Sequence, residues 1–345
     1  MTIPRTITVS ALAGTLLIGA CVATGAGRSA NADGPLLYRD HPLADRIWKP
    51  DEARYASQDE VAAAVSRARF VLIGEKHDNP RHHRLQAQIL GRMIAEGRRP
   101  AVVFEMLTPG QQPAIDSFLA GNPPDATGLG PAVDWAETGW PDWKMYQPIA
   151  DAALAAGAPL LAGGLERATI RDVARNGVDV FDRERVRALR LDEPVAADRR
   201  EAMREEIYQS HCQQLPRESL DPMVTVTLVK DAVMAAQLID GAAPPGRDSA
   251  VLIAGDGHVR DDRGVPWHLR KREPRAVVVT VGILEVSDGE EDPASYAERF
   301  GEQGLPFDFV WFTGRVDDAD PCEVFAEQLR KARERSEREG DGGSE

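Results

Sequence analysis

The stretch Val71–Gln86, VLIGEKHDNPRHHRLQ, joins a continuous apolar run to a polar turn and to the start of a helix. The apolar run, Phe70–Gly74, does not alternate with polar residues, which is typical of a parallel strand covered on both faces. Asn79 and Pro80 are residue types preferred at the N-cap and the first position of a helix. Apolar residues then recur at every fourth position and predict one packed helix face: Leu85, Ile89 and Met93.

Five further apolar runs have the same character and predict buried strands. They are Ala101–Phe104, Pro159–Ala162, Ala250–Ala254, Ala276–Val281 and Phe309–Phe312. Helical patterns lie between them, and such alternation is typical of a sheet with helices on both faces. The predicted fold class is therefore α/β, a parallel-sheet three-layer domain.

The segment 166–246 has a different texture, with charged helical patterns such as DRERVRALR and no convincing strand. It predicts a smaller helical subdomain inserted between strands, whose last helix has Asp221 as N-cap, Pro222 at its first position and Gly241 at its end. The predicted organisation is a signal peptide at 1–20, a tether at 21–45, a discontinuous α/β domain at 46–165 and 247–320, the helical subdomain at 166–246, and a C-terminal helix with an acidic tail at 321–345.

The N-terminus combines Arg5, a short apolar segment and small residues before Cys21. The apolar part is too short for a comfortable membrane span. Ile18–Cys21 resembles a bacterial lipobox, in which cleavage leaves Cys21 as a lipidated first residue, although an ordinary secretory leader with a chance cysteine is the alternative. Val22, by similarity to known sorting rules, predicts an envelope lipoprotein on the outer membrane facing the periplasm, with the lipid anchor as its only membrane contact.

Export also changes the interpretation of the remaining cysteines, Cys212 and Cys322. In an oxidising compartment they could form one disulfide, or they could be two unrelated buried thiols. The whole chain of 345 residues has a formal net charge of −14 and a pI near 5.1. A strongly negative surface repels phosphates, which argues against nucleic acid as a partner.

Three predicted strand ends carry side chains that bind metals or transfer protons. Glu75 and His77 follow the first strand, Glu105 ends the second, and Asp256 and His258 follow the run at 250–254. Ligands of parallel α/β sheets bind outside the carboxyl ends of the strands. We therefore expect these side chains to converge on one pocket.

Imidazoles with carboxylates suit a divalent transition metal such as Mn, Co or Zn. A metal would take Glu75, His77 and His258, and a metal-dependent or Glu/His-based hydrolase would use Glu105 as well. His82 and His83 fall in the first helical turn, where single histidines are usually surface residues, so they are secondary candidates. No H-E-x-x-H, G-x-S-x-G or Walker motif occurs in the sequence.

Three motifs in order, GEKHDNPRHHRLQ at 74–86, VVFEM at 102–106 and GDGHVRDDRGVP at 255–266, resemble the ChaN-like family of haem-binding lipoproteins. This family lies within the Tiki/TraB and erythromycin-esterase-like superfamily, and the resemblance runs from about 70 to 311. It implies an α/β domain with a smaller helical domain, haem as cofactor, haem and iron uptake at the outer membrane, a homodimer with haems stacked between its subunits, and an outer-membrane haem receptor as a partner.

The resemblance carries Glu75, His77, Glu105 and His258 over to the family's motif positions. In the catalytic branches such residues serve metal-dependent hydrolysis or general-base chemistry. In the haem-binding branch a tyrosine ligates iron and a histidine lies close by. The resemblance therefore implies a tyrosine ligand in this chain.

Two tyrosines are candidates for that ligand. Tyr146 follows three tryptophans that could offer a flat surface to a porphyrin or form a core loop over the sheet: Trp135, Trp140 and Trp143. Tyr208 lies three residues before His211 on one helix face, where half-buried packing is the alternative. Met223 and Met234 fit an apolar helix stripe and are predicted to be core.

Arg260 and Arg263 follow the third motif and could clamp haem propionates, since arginine binds carboxylates bidentately. The alternative is surface ion pairing with Asp261 and Asp262. The sequence thus predicts a lipid-anchored haem carrier rather than an enzyme, with a hydrolase, of the Tiki/TraB protease-like or esterase-like kind, as the alternative. A third hypothesis is a scaffolding lipoprotein whose site has lost function.

Overall fold

A computed structural model describes residues 36–301 and 304–341 of the chain. The predicted signal peptide, the lipidation site at Cys21, most of the predicted tether and the end of the acidic tail lie outside the described residues. Those predictions therefore stay predictions.

The described part of the chain contains one eight-stranded sheet. Its strands are β1 (Ile47–Lys49), β2 (Arg54–Ala56), β3 (Phe70–Ile73), β4 (Pro100–Phe104), β5 (Leu160–Ala162), β6 (Ser249–Ile253), β7 (Val278–Glu285) and β8 (Phe309–Thr313). The order is β2-β1-β8-β7-β3-β6-β4-β5. All neighbours from β8 to β5 are parallel, whereas β1 is antiparallel to both β2 and β8. The predicted α/β class is confirmed, with an antiparallel edge that the sequence did not reveal.

Helices cover both faces of this sheet. They are α1 (Gln58–Val65), α2 (Pro80–Ala95), α3 (Gln112–Ala120), α4 (Leu129–Ala132), α5 (Trp143–Ala155), α6 (Arg167–Asn176), α7 (Arg183–Ala188), α8 (Ala197–Ser210), α9 (Leu220–Gly241), α10 (Asp256–Val259), α11 (Val265–Arg272) and α12 (Pro321–Asp341). On β3, Val71 and Ile73 pack with α2 and α5, whereas Phe70 and Leu72 pack with α9 and α11. Burial on both faces explains why this strand is apolar throughout.

The unit that joins β3 to α2 forms as the sequence predicts. The Asn79 side chain accepts a hydrogen bond from the Arg81 amide at 2.9 Å, and Pro80 occupies the first helical position. The apolar stripe of α2, whose members recur at every fourth position, is buried: Leu85, Ile89 and Met93. The position of α2 therefore fixes where the turn at 74–79 lies.

Between β5 and β6 the regular elements are helical, α6 to α9. The predicted cap of α9 is wrong, because Ser219 is the N-cap and Asp221 lies inside the first turn. A 3-10 turn, Arg217–Ser219, runs directly into the helix, so there is no extended residue at Asp221 for a cap. The predicted end at Gly241 is correct, and Met234 is buried in the core.

Among the described residues, one helical segment, Arg217–Gly241, is long and apolar enough to cross a membrane by length and composition. Of its most apolar window, 61% is buried inside the fold. A mostly buried helix of this kind is the usual core helix of a globular domain. The packing of this helix on the sheet therefore explains why its sequence is so apolar.

Cys212 and Cys322 are joined by a disulfide with an Sγ–Sγ distance of 2.06 Å. The bond connects the turn after α8 to the first turn of α12. Next to it, the ring of Phe325 lies edge-on to the ring of His211, with 5.2 Å between centroids. Among the described residues, the disulfide and this ring contact attach the start of α12 to the end of α8.

Candidate functional site

The first part of the site surrounds Glu75, which is only 2% exposed. Its Oε1 lies 2.7 Å from Nδ1 of His77 and accepts a hydrogen bond from Tyr146 Oη at 3.2 Å. Its Oε2 lies 2.9 Å from Nδ1 of His83. One buried carboxylate therefore positions two imidazoles and a phenol.

The members of this group stabilise one another's charged forms. Burial raises the pKa of Glu75, but the neighbouring His83 and His77 outweigh burial and lower it overall. Burial lowers the pKa of His77, yet its hydrogen bond to Glu75 raises it overall. Because Glu75 engages Nδ1, Nε2 is the ring nitrogen that remains for a ligand, and 23% of this side chain is exposed.

The sequence-based expectation that His82 and His83 are surface residues is wrong, because both are fully buried. Nε2 of His83 lies 3.0 Å from the His77 carbonyl oxygen. Nδ1 of His82 accepts from the Lys76 amide at 2.9 Å, and its Nε2 lies 2.8 Å from Thr313 Oγ1. The end of β8 covers the start of α2, so His82 holds these two elements together. His83 lies beside Glu75 and belongs to the site.

The second part of the site surrounds Glu105 at the end of β4. Its Oε1 lies 2.6 Å from Nζ of Lys230 and 3.2 Å from Nε2 of His258. Its Oε2 accepts from the Gly255 amide at 3.0 Å. Nδ1 of His258 lies 2.5 Å from Asp231 Oδ1, so carboxylates flank the imidazole on both sides.

These carboxylates set the charge of His258. Burial lowers its pKa, but Glu105 and Asp231 raise it to about 9. Burial raises the pKa of Glu105, and Lys230 and His258 lower it well below its usual range. The imidazole is therefore protonated at neutral pH. The negative charges of Glu105 and Asp231 balance the positive charges of His258 and Lys230.

Gly255 lies where the two parts meet. A Cβ on this residue would be 3.1 Å from Nε2 of His77 and 3.8 Å from Oε2 of Glu105. The glycine therefore permits a close approach that a larger residue would obstruct. The structure brings together the three strand ends that carry Glu75 and His77, Glu105, and His258.

Asp256 lies beside the first part of the site. Its amide donates to the Glu75 carbonyl oxygen at 3.1 Å. Its Oδ1 is buried without a hydrogen-bond partner among the described residues. Burial raises its pKa to about 7, so this carboxyl group is much more easily protonated than an exposed aspartate.

Tyr146 and the tryptophans differ in their access to the site. Tyr146 is fully buried, with its ring 4.1 Å from that of His83 and 5.0 Å from that of Trp135. Burial and the neighbouring Glu75 raise its pKa well above the usual value, so the phenol stays neutral. Trp140, by contrast, is half-buried and lies beside His77.

The other proposed ligands lie in different contacts. Tyr208 is half-buried on α8 beneath the guanidinium of Arg217, 4.3 Å from the ring centroid. Nδ1 of His211 lies 2.7 Å from the Ile207 carbonyl oxygen. Both therefore belong to the α8 region, and the contacts described for Glu75 and Glu105 do not include them.

The alternative interpretation of Arg260 placed it in ion pairs at the surface. In the structure, Arg260 is instead buried. It binds both carboxylate oxygens of Asp262, at 2.9 and 2.8 Å, and also Glu206 at 2.7 Å and the Phe300 carbonyl oxygen at 2.8 Å. The guanidinium group thus donates four hydrogen bonds to other groups of the protein. Asp261 pairs with Arg270 instead.

Sequence reasoning missed Lys230 and Asp231, which both contact His258. The signal was present, since the two charged residues interrupt the apolar stretch VTLVKDAVMAAQL. Charged residues are rarely buried without a partner. An adjacent pair inside an apolar helix therefore indicates polar partners across the interface.

Among the described residues, no group of three or more His, Cys, Asp or Glu side chains is arranged so that it could hold a metal ion. The imidazoles and carboxylates bind one another. The structure therefore gives no support to the Mn, Co or Zn alternative.

Comparisons with known proteins agree with the motifs. The family model described as haem-binding uptake, Tiki superfamily, ChaN matches residues 61–269. A solved structure described as cofacial heme binding to ChaN of Campylobacter jejuni is similar with a TM-score of 0.57 and 20% identity, over 77% of this chain and 95% of that one. The type III effector HopBA1 has a TM-score of 0.41 and 12% identity, over 84% of this chain and 99% of that one.

No curated protein matches the chain by sequence. At this identity the similarity to the Campylobacter structure shows the fold alone, and it agrees with the α/β sheet described above. The family match spans more than half of the chain. The chain therefore belongs to the ChaN family of haem-binding uptake proteins in the Tiki superfamily.

Proposed function

We propose that this protein is a lipid-anchored haem-binding protein of the cell envelope that acts in haem or iron uptake. The family match supports haem as the ligand. The lipobox-like segment before Cys21 supports a lipid anchor. By the sorting rule for Val22, the protein is anchored in the outer membrane and faces the periplasm.

The observation that carries the proposal is the Glu75–His77 pair. A histidine that ligates a metal commonly gives its second ring nitrogen to a carboxylate, which fixes the tautomer and raises the basicity of the ligand. Here Nδ1 of His77 lies 2.7 Å from Glu75, and the ring is partly exposed. Bound haem would supply an iron centre, and Nε2 of His77, after the ring has lost its extra proton, is the atom that would hold it.

Tyr146, one of the two tyrosines that are candidates for the ligand implied by the family resemblance, fits less well than His77. Its Oη donates to Glu75 and lies 3.4 Å from the His77 carbonyl oxygen. The residue is fully buried, and its raised pKa opposes the phenolate that iron would need. We assign Tyr146 to holding Glu75 and His77 in position.

A hemin titration tests this assignment. Mature protein is expected to give a Soret band that shifts and saturates, and His77→Ala is expected to lose it. Tyr146→Phe is expected to keep the band position, and so is Tyr208→Phe, which removes the other candidate tyrosine. Loss of the band in Tyr208→Phe would assign the ligand to α8 instead. If Tyr146→Phe loses the band and His77→Ala retains it, the assignment is wrong. If the unmodified protein takes up no hemin, the proposed function itself fails.

The hydrolase alternative is supported by the Asp231–His258 pair, since a carboxylate often orients a catalytic histidine. A general base must be neutral at the working pH. Because the pKa of His258 is about 9, it is protonated near pH 7 and unsuited to that role. Turnover of an activated ester that His258→Gln abolishes would reverse this preference.

The envelope location has its own test. In a Gram-negative host, the full chain is expected in the outer-membrane fraction, and Cys21→Ala is expected to leave that fraction. An unchanged distribution of Cys21→Ala would contradict the lipid anchor. Labelling of the mature N-terminus with a radioactive fatty acid provides an independent measurement.

A further inference from the structure

Four loops lead into neighbouring parallel strands at the edge of the sheet opposite the candidate site. They are 66–69 before β3, 96–99 before β4, 242–248 before β6 and 273–277 before β7. These loops carry six arginines, which define the arginine edge: Arg67, Arg69, Arg98, Arg99, Arg247 and Arg275. Four neighbouring strands, each about 4.8 Å from the next, span about 15 Å of sheet. The arginine edge is therefore compact.

Hydrogen bonds fix the backbone of these loops. The Arg69 amide donates to the Val277 carbonyl oxygen at 2.9 Å, and the Arg99 amide donates to Oδ1 of Asp248 at 3.2 Å. Nε of Arg98 lies 3.2 Å from Oδ2 of Asp248, and its guanidinium also donates to the loop before β3. Arg98 thus holds three loops together, and the other arginines extend from a fixed backbone.

The charge of the arginine edge contrasts with that of the whole chain. Among residues 36–301 and 304–341, its other five arginines have no carboxylate within ion-pairing distance. Carboxylates in the four loops are half as many as the arginines: Glu96, Asp248 and Glu273. The edge is therefore positive on a chain whose formal net charge is −14. Cations that gather without acidic partners favour an anionic binding partner.

An exposed apolar side chain lies among these cations. Each of the four loops follows the C-terminus of a helix, where a cation is stabilised by the helix dipole. That effect does not explain Val277, which is 53% exposed and is the most exposed large apolar residue among those described. Pro244 and Pro245 are exposed in the loop before β6. Apolar side chains beside arginines are typical of surfaces that contact an anionic membrane.

The described chain begins at the edge that carries the candidate site. Leu37 pairs with Arg315, which follows the carboxyl end of β8. The 15 residues that follow Cys21, up to Leu36, cover at most about 50 Å when extended. The sheet is shorter, since the eight residues of β7 rise about 26 Å. An anchor at Cys21 therefore permits the arginine edge to reach the same membrane.

We propose that the arginine edge rests on an anionic phospholipid surface, so that the candidate site at the other edge faces away from the membrane. The inference goes beyond the proposed function and rests on it only for the lipid anchor, which keeps this edge near a membrane. Charges farther away than the Debye length of about 10 Å are largely screened. The acidic residues elsewhere on the protein therefore do not cancel the attraction between this edge and lipid phosphates.

Co-sedimentation with vesicles tests the inference. Vesicles of phosphatidylcholine with about one third phosphatidylglycerol are compared with phosphatidylcholine alone, at low and at high salt. The protein is the mature chain with Cys21→Ala and without lipid, so that the edge alone is measured. The test variant is Arg99→Gln with Arg275→Gln. The matched control is Arg183→Gln with Arg187→Gln on α7, since all four arginines are exposed. Circular dichroism verifies that each variant is folded.

The Cys21→Ala chain is expected to bind the anionic vesicles at low salt and to release them at high salt. The test variant is expected to bind about thirtyfold more weakly, and the control on α7 is expected to be unchanged. Val277→Ser is expected to weaken binding by about fivefold, because its exposed half would leave water at the membrane. If the test variant binds as tightly as the control, or if the chain does not prefer anionic vesicles, the inference is overturned. Hemin binding, and fractionation of Cys21→Ala at high salt, do not depend on this edge, so the proposed function then stands.

An acidic polypeptide is the other class of partner that a positive edge attracts. Poly-glutamate is the probe for it, under the same salt conditions. Salt-sensitive binding of poly-glutamate without binding of anionic vesicles would assign the edge to an acidic protein and would overturn the inference.

Discussion

Glu75 holds His77 and His83 at the same time, and the two imidazoles differ in what remains available. His83 is fully buried, with Gln86 and the His77 carbonyl oxygen also within hydrogen-bonding distance. His77 keeps a partly exposed ring. At the residue scale, therefore, one carboxylate determines both the orientation of the ligand candidate and the rigidity of its support.

Replacing this carboxylate tests the arrangement. Glu75→Gln keeps the shape of the side chain but removes its charge, so the pKa of His77 is expected to fall and its Nε2 to become a weaker donor. Loss of such a supporting partner costs about 10–100-fold in metal affinity, and we expect a loss of that size for hemin. Asp78→Asn, in the same turn, is the control and is expected to keep its affinity. Equal affinities for Glu75→Gln and the unmodified protein would contradict the role of the pair.

His258 gives a prediction for stability against pH. Its pKa of about 9 in the folded protein lies above the value of about 6.5 in an unfolded chain. The stabilisation is therefore fully present below pH 6.5 and is lost as the pH rises through 9. By linkage, it amounts to about 3 kcal/mol.

Urea unfolding between pH 6 and pH 10 measures this effect. The free energy of unfolding of the unmodified protein is expected to decrease across that range. His258→Gln is expected to be less stable at pH 6 and to lack most of the decrease. His41→Gln is the control, since His41 accepts from the Leu43 amide outside the site and should retain the decrease. A flat profile in the unmodified protein would contradict the prediction.

At the scale of elements, predictions succeeded where structure is determined locally. The β3–turn–α2 unit was predicted from three features that lie next to one another in the chain: an apolar run, an N-cap residue, and apolar residues at every fourth position. The apolar surroundings of Lys230 and Asp231 indicate that they have polar partners. That the partner is His258 depends on how α9 is rotated against the sheet, and the local pattern does not give that rotation. The edge strands β1 and β2 were missed because each has only three residues and no apolar run.

The attachment of α12 leads to a prediction at the same scale. Most of its described side chains are exposed, and its ion pairs involving Arg330 and Lys331 are with Glu327 and Glu334 of the same helix. The disulfide and the Phe325–His211 contact connect it to α8. A reductant is therefore expected to increase hydrogen exchange in α12 and to leave β3, β4 and β6 protected.

Hydrogen exchange with mass spectrometry, with and without reductant, makes this measurement. The double substitution Cys212→Ser with Cys322→Ser is expected to reproduce the reduced state without any reductant. Loss of protection throughout the sheet would contradict a local role and would indicate that the bond stabilises the whole domain.

At the scale of the whole molecule, the position of the site in the fold determines how a ligand is held. The site lies at the carboxyl ends of β3, β4 and β6, as ligands of parallel α/β sheets do, and α9 adds Lys230 and Asp231 from one face of the sheet. Tyr146 on α5 reaches Glu75 from the other face. The three layers thus all contribute to one location.

The family resemblance implies a homodimer with haems stacked between its subunits. The flat face of a haem is a large apolar surface, and such surfaces associate with one another in water. We therefore expect hemin to drive pairing of two copies. Sedimentation velocity of the mature protein should show a larger dimer fraction with hemin than without it. His77→Ala should show no such increase at the same hemin concentration. Hemin-saturated protein that sediments as a monomer would contradict this pairing.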